Sequence, residues 1–135
     1  MDEDTFLLKL SKFIESLNYE SSVGSVVAVE GKRDLGALRS IGYTGNALVL
    51  NSFRGIIRFA DFIHEHFNKV IILFDTDRKG KVLSSRMLDI LPANYLSKSL
   101  YYIRQLTKIT KGKIKHIEEL YIFGPKLREI ETNLP

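Results

Sequence analysis

The stretch Val26-Val27-Ala28-Val29-Glu30-Gly31-Lys32-Arg33-Asp34 decides how this chain is read. Its first four residues are apolar and mostly β-branched, and an acidic cluster follows without a break. The pattern recurs at Val70-Ile71-Ile72-Leu73-Phe74, which runs straight into Asp75-Thr76-Asp77. Uninterrupted runs of this kind predict strands buried on both faces, as in a parallel sheet covered by helices. Open α/β sheets bind their ligands at the carboxyl ends of the strands, where both clusters fall. Carboxylates gathered there repel one another unless a cation lies between them. The pattern therefore points to a divalent metal site.

Outward from these runs, strand and helix patterns alternate. Phe6, Leu7, Leu10, Phe13, Ile14 and Leu17 recur at helical spacing and predict an amphipathic helix over 3–18. Glu20 to Gly24 reads as a polar connection into a strand at about 25–30. Helices are expected at about 32–41, 53–67 and 80–91, with Gly42 and Pro92 as stops. Ala47-Leu48-Val49-Leu50 reads as a short buried strand, 69–75 as another, and 93–98 as a poorly patterned fourth. Residues 99–110 and 114–122 read as helical, the second ended by Gly124-Pro125. The expected fold is thus a compact, Rossmann-like α/β domain. It has a mostly parallel sheet of about four strands, an added N-terminal helix and a helical C-terminal segment over about 93–135.

A length of 135 residues fits one domain spanning 1–135, with its core at about 25–92. The chain has no cysteine, which excludes disulfides, zinc–thiolate sites and thiol catalysis and suits a cytoplasmic protein. The acidic start Met1-Asp2-Glu3-Asp4 is unlike a signal peptide, and no apolar stretch reaches the length of a membrane span.

Charge is unevenly spread. Residues 1–75 carry 8 Lys/Arg against 10 Asp/Glu, a net of −2, whereas residues 76–135 carry 12 against 6, a net of +6. No acid lies between Asp89 and Glu118, while Lys98, Arg104, Lys108, Lys111, Lys113 and Lys115 accumulate there beside Tyr95, Tyr101 and Tyr102. A basic surface with exposed aromatics fits a nucleic-acid backbone with some unpaired bases. The same composition also fits a solvated helix face with buried tyrosines, and alone it favours that plainer reading.

Asp75 and Asp77 are one residue apart, so on an extended strand end both carboxylates face the same side. Glu30 ends a different strand. Hard oxygen ligands of this type suit Mg²⁺ or Mn²⁺, which polarise phosphoryl oxygens and orient water. A carboxylate not committed to metal, Glu30 above all, can serve as general acid or base. Lys32, Arg33, Arg78, Lys79 and Lys81 flank the acids and are placed to meet phosphate oxygens. His64-Glu65-His66 is set aside as a metal pair, because residues two apart on a helix point to nearly opposite sides.

Val29-Glu30-Gly31-Lys32-Arg33-Asp34 and Phe74-Asp75-Thr76-Asp77-Arg78-Lys79-Gly80 resemble the two signature motifs of the Toprim domain. That domain is found in topoisomerases, bacterial-type primases, OLD-family nucleases, recombination-repair proteins and the ribonuclease that matures 5S rRNA. The resemblance covers residues 25–92, and it is nearest to small stand-alone archaeal Toprim proteins and to the Glu-Gly-Lys-x-Asp motif of the maturation ribonuclease. It implies Glu30 as the acid/base glutamate and a metal ligand, Asp75 and Asp77 as catalytic Mg²⁺ ligands, and Asp34 as a further acid at the metal. Asn51-Ser52 stands where the family often has Asn-Gly. The chain given has no room for the tyrosine-bearing domain of a topoisomerase or the accessory surfaces of a primase.

Two functions remain. One is a Mg²⁺-dependent nuclease acting on RNA or DNA, with Lys108, Lys111, Lys113 and Lys115 holding the strand. The other is a non-catalytic metal- and nucleic-acid-binding module, working as a homodimer or within a larger processing or repair assembly. A phosphorylatable receiver-like domain is disfavoured, because that class needs paired acids at its first strand and a lysine at a later strand end.

Overall fold

The computed structural model describes residues 2–133. Helix α1 (Glu3–Ser22) leads into strand β1 (Ser25–Val29), helix α2 (Lys32–Ser40), strand β2 (Ala47–Val49), helix α3 (Ile56–His66), strand β3 (Lys69–Ile72) and helix α4 (Arg78–Ile90). Helix α5 (Ser99–Thr110), a 3₁₀ segment (Ile117–Phe123) and helix α6 (Gly124–Asn133) complete the order. The three strands form one open parallel sheet in the order β2-β1-β3, with Val26 opposite Val70 and Val29 opposite Val49.

Side-chain alternation along the strands divides the core. Val27, Val29, Ile71 and Leu73 face a layer made by α1, α2, α5 and the C-terminal segment. Val26, Ala28, Val70, Ile72 and Phe74 face α3 and α4, with Phe59, Ile63 and Met87 fully buried against them. All five residues of β1 are buried, as expected for a central strand with helices on both faces. Placing β1 in the middle brings the ends of β1 and β3 side by side, which is what assembles the site.

The sheet has three strands among the described residues, not four. Residues 93–98 form a 3₁₀ turn (Ala93–Tyr95) and the approach to α5. The outer edge of β3 is satisfied instead by one side chain. Ser99 Oγ accepts from the Ile72 N–H at 2.9 Å and donates to the Val70 carbonyl at 3.0 Å. A hydroxyl thus does the hydrogen bonding that a fourth strand would have done at that point.

Two other expectations are corrected. Helix α1 runs on to Ser22, because Glu20 is not in a polar connection but buried, where Lys98 Nζ reaches both its carboxylate oxygens at 2.9 Å. The expected helix over 114–122 is non-helical through His116 and 3₁₀ only from Ile117 to Phe123, and Gly124-Pro125 opens α6 rather than ending a helix. Proline suits a first helical turn, where its missing N–H has no partner to lose. Among the described residues no helix is long and apolar enough to cross a membrane.

Candidate metal centre

Glu30 follows β1 directly and is buried. After β3 the chain stays extended through the buried Leu73 and Phe74, with the Leu73 N–H donating to the Ala28 carbonyl at 2.8 Å. Asp75 therefore arrives beside Glu30, and its backbone N–H donates to Glu30 Oε1 at 3.0 Å. That bond joins the two acidic clusters. The 3₁₀ turn after β2 (Leu50–Ser52) closes the other side, where the Asn51 N–H donates to the Glu30 carbonyl at 3.0 Å.

Each aspartate uses one oxygen for positioning and leaves the other forward. Asp77 is the N-cap of α4, and its Oδ1 accepts from the Gly80 N–H at 2.8 Å, a common use of aspartate before a first helical turn. Asp75 Oδ1 accepts from the Ile117 N–H at 2.9 Å. The two Oδ2 atoms face His116, whose Nδ1 lies 3.4 Å from Asp75 Oδ2 and 3.6 Å from Asp77 Oδ2. Asp75, Asp77 and His116 each offer a ligand atom within 4.8 Å of the others and could hold a metal ion. Gly80 permits this approach, because a Cβ there would fall 1.9 Å from the Asp75 carbonyl oxygen.

Sequence reasoning missed His116. It comes from the C-terminal segment, held by one backbone bond, Thr76 N–H to the Lys115 carbonyl at 2.9 Å, and by one bond from the Ile117 N–H to the Asp75 carboxylate. The only local signal is a histidine at the end of a basic, acid-free run, just before the buried anchors Ile117 and Leu120. Its hydrogen bond to Asp75 raises its pKa, loss of solvation opposes that, and the charges of Asp75 and Asp77 add to the rise.

Glu30 and Asp34 lie outside this three-residue set. Burial raises the Glu30 pKa, the Asp75 N–H opposes that, the Asp75 charge adds to it and the charge of Lys79 opposes it again. Asp34 sits in the first turn of α2 and turns back to its own backbone, with Oδ2 accepting from the Gly31 N–H at 3.0 Å. Burial raises its pKa too, tempered by the Gly31 N–H and reinforced by the charges of Asp75 and Glu118.

The basic residues fall into two groups. Lys32 and Arg33 in the first turn of α2, and Arg78, Lys79 and Lys81 in that of α4, are exposed at the sheet edge carrying the carboxylates. Lys111, Lys113 and Lys115 are exposed on the segment that delivers His116. Lys108 lies farther back, on the last turn of α5. His64, Glu65 and His66 are all exposed.

This fold and site define an α/β protein with a carboxylate–histidine cluster at the carboxyl edge of a small parallel sheet. No family model matches the chain. The UPF0292 protein of Methanosarcina barkeri is 31% identical over 122 residues, covering 90% of this chain and 85% of that protein. The UPF0292 protein of Archaeoglobus fulgidus is 33% identical over 118 residues, covering 87% and 91%. A solved structure of a protein from Aquifex aeolicus superposes with a TM-score of 0.62 at 30% identity, covering 81% of this chain and 95% of that one. The chain belongs to the UPF0292 family.

Proposed function

We propose that this chain is a Toprim-type, Mg²⁺-dependent phosphodiesterase acting on RNA or DNA. One observation carries the reading: Asp75 and Asp77 each tie one oxygen to a backbone N–H and point the other at a common space, while the neighbouring Glu30 is fastened to the backbone of Asp75. Such a donor set suits a hard divalent cation, since carboxylates dominate it and one imidazole is tolerated by Mn²⁺ as well. Asp75, Asp77 and His116 would hold that ion. Bound there, Mg²⁺ or Mn²⁺ supplies Lewis-acid polarisation of a phosphoryl oxygen and acidifies a coordinated water.

The chain's own groups do the rest. Glu30 keeps Oε2 free of any hydrogen bond to the protein among the described residues, and burial favours its protonated form. It is the group suited to take a proton from an attacking water or return one to a leaving oxygen. Lys79 reaches the field of Glu30, and with Lys32, Arg33, Arg78 and Lys81 it offers cations to a polyanion at this edge. Asp34 supports the loop by fixing Gly31.

A second reading is favoured by the contact of His116 with both aspartates. As an imidazolium it neutralises part of their charge, so the cluster is stable in a module that binds without turnover. Incubation of the protein with end-labelled RNA and DNA in Mg²⁺, Mn²⁺ or EDTA separates the two. Metal-dependent cleavage, lost in Asp75→Asn and in Glu30→Gln, is the expected result. Binding with no cleavage in any metal overturns the nuclease in favour of the module.

A further inference from the structure

Helices α1 and α5 pack against one face of the sheet and leave a cleft of about 330 Å³ between them. Its floor is apolar, made by Phe13, Tyr102 and Ile109. Its rim is cationic: Lys9 and Lys12 project from α1, and Lys108 from α5, with Tyr101 and Gln105 between. Helical spacing explains the grouping, since 101, 105 and 108 share one side of α5 and 9, 12 and 16 one side of α1. No carboxylate lines the cleft, and among the described residues none of the three lysines is paired with an acid. Tyr101 is 57% exposed, and its ring stands edge-on to Tyr102 at 5.1 Å. The hydroxyl of Tyr102 is turned inward to Glu20 at 2.9 Å, which fixes the floor.

We propose that this cleft binds one unpaired nucleotide of a single-stranded nucleic acid, as a second subsite of the metal centre described above. The inference rests on that nucleic-acid reading and extends it to residues of α1. Three unpaired ammonium groups call for an anion, and an exposed tyrosine over an apolar floor calls for a planar, partly apolar group. A nucleotide is both. The volume lies at the small end of ligand pockets, about 300–1,000 Å³, so one nucleotide enters and a duplex does not. Continuity supports a strand rather than a free nucleotide. From Lys108 the chain passes the exposed Lys111, Lys113 and Lys115 and reaches His116 at the metal centre. A backbone following those lysines joins the cleft to the site.

The test uses fluorescein-labelled dodecamers of uridine and of deoxythymidine, titrated by anisotropy in EDTA at several KCl concentrations. Lys9→Ala/Lys12→Ala/Lys108→Ala is expected to reduce the salt slope by about 1.4, since one nucleotide presents its 5′ and 3′ phosphates and each phosphate contact on a single strand contributes ~0.7. Tyr101→Ala should weaken binding by about fivefold or more at unchanged slope, and Tyr101→Phe should restore it, because stacking needs the ring and not the hydroxyl. The stronger of the two polymers identifies the sugar preferred. Wild-type binding that neither variant alters overturns the cleft and leaves the metal-centre reading intact. Binding that depends on the cleft, with no metal-dependent cleavage of the same strands, upholds the cleft and overturns the nuclease.

Discussion

The backbone N–H of Asp75 donates to Glu30 Oε1 at 3.0 Å, across 45 residues of sequence. One bond thereby sets the distance between the carboxylates of two different strand ends. It also leaves a buried glutamate beside the charge of Asp75, a cost in stability accepted at the place where chemistry is proposed.

Glu30→Gln keeps the acceptor and removes the charge. In EDTA the variant should be more stable than the parent, by on the order of 1 kcal/mol, the usual size of a gain at a functional site. Glu30→Ala removes the acceptor and should cost about 1–2 kcal/mol, since it strands the Asp75 N–H. Thermal melts of the three proteins check this; a glutamine variant less stable than the parent contradicts it.

The pH dependence has a definite sign. Glu30 and Asp34 are raised in the fold, so the folded state binds more protons than the unfolded chain just above the ordinary carboxylate range. Their penalty is absent below the unfolded pKa and complete above the folded one. His116 is raised as well, so its contribution is full below the unfolded value and lost as pH rises through the folded one. All three make the metal-free protein lose stability as pH climbs, the two carboxylates from their ordinary range upward and His116 from the ordinary imidazole value upward. Added Mn²⁺ should stabilise increasingly over the same range, because His116 must be neutral to ligate. His116→Ala should weaken Mn²⁺ by roughly tenfold or more in calorimetry. Unchanged affinity removes His116 from the ligand set.

Two glycines make opposed predictions. A Cβ at Gly80 would lie 1.9 Å from the Asp75 carbonyl oxygen, whereas one at Gly36 meets nothing within 4 Å. Gly80→Ala should destabilise by about 2 kcal/mol or more and displace Asp77 with the start of α4. Gly36→Ala, in the interior of α2, should stabilise by about 0.5–1 kcal/mol. Denaturant titration of both variants measures the contrast, and equal effects refute it.

Lys98 and Tyr102 belong to the basic, aromatic stretch but serve the interior. Both close on Glu20, at 2.9 Å each. Burial and the Glu20 contact push the Tyr102 phenol well above its ordinary pKa. Lys98→Met should cost about 1–2 kcal/mol, moderated by the exposure of the lysine, and Tyr102→Phe about 1 kcal/mol. Neither should change the salt dependence of nucleic-acid binding. A flattened slope in Lys98→Met would place that lysine on the strand after all.

Lys111, Lys113 and Lys115 are exposed on the approach to the metal centre. Changing all three to alanine should reduce the salt slope for a single strand by about 2 while leaving the melting temperature close to that of the parent. An unchanged slope moves the nucleic acid to another face.

The order of strands and helices through Ile90 was legible because it is locally encoded. Val26 to Val29 and Val70 to Phe74 are too apolar for any place but a covered sheet, and helical spacing marks α1 and α3. Glu30 and Asp75 were legible for the same reason, each being the first polar residue after such a run, and Asp77 follows two positions on. Tertiary structure alone decided the rest. The partner of β3's outer edge is Ser99, not a strand, because a single hydroxyl satisfies both backbone groups. His116 reaches the aspartates because its neighbours Ile117 and Lys115 bond to the Asp75 carboxylate and the Thr76 N–H, about 40 residues away in sequence, which no local pattern records. Lys98 and Lys108 look alike in a basic run, yet one is drawn to a buried glutamate and the other is left on the rim of a cleft. Composition assigns the residues their chemistry, and long-range packing assigns them their partners.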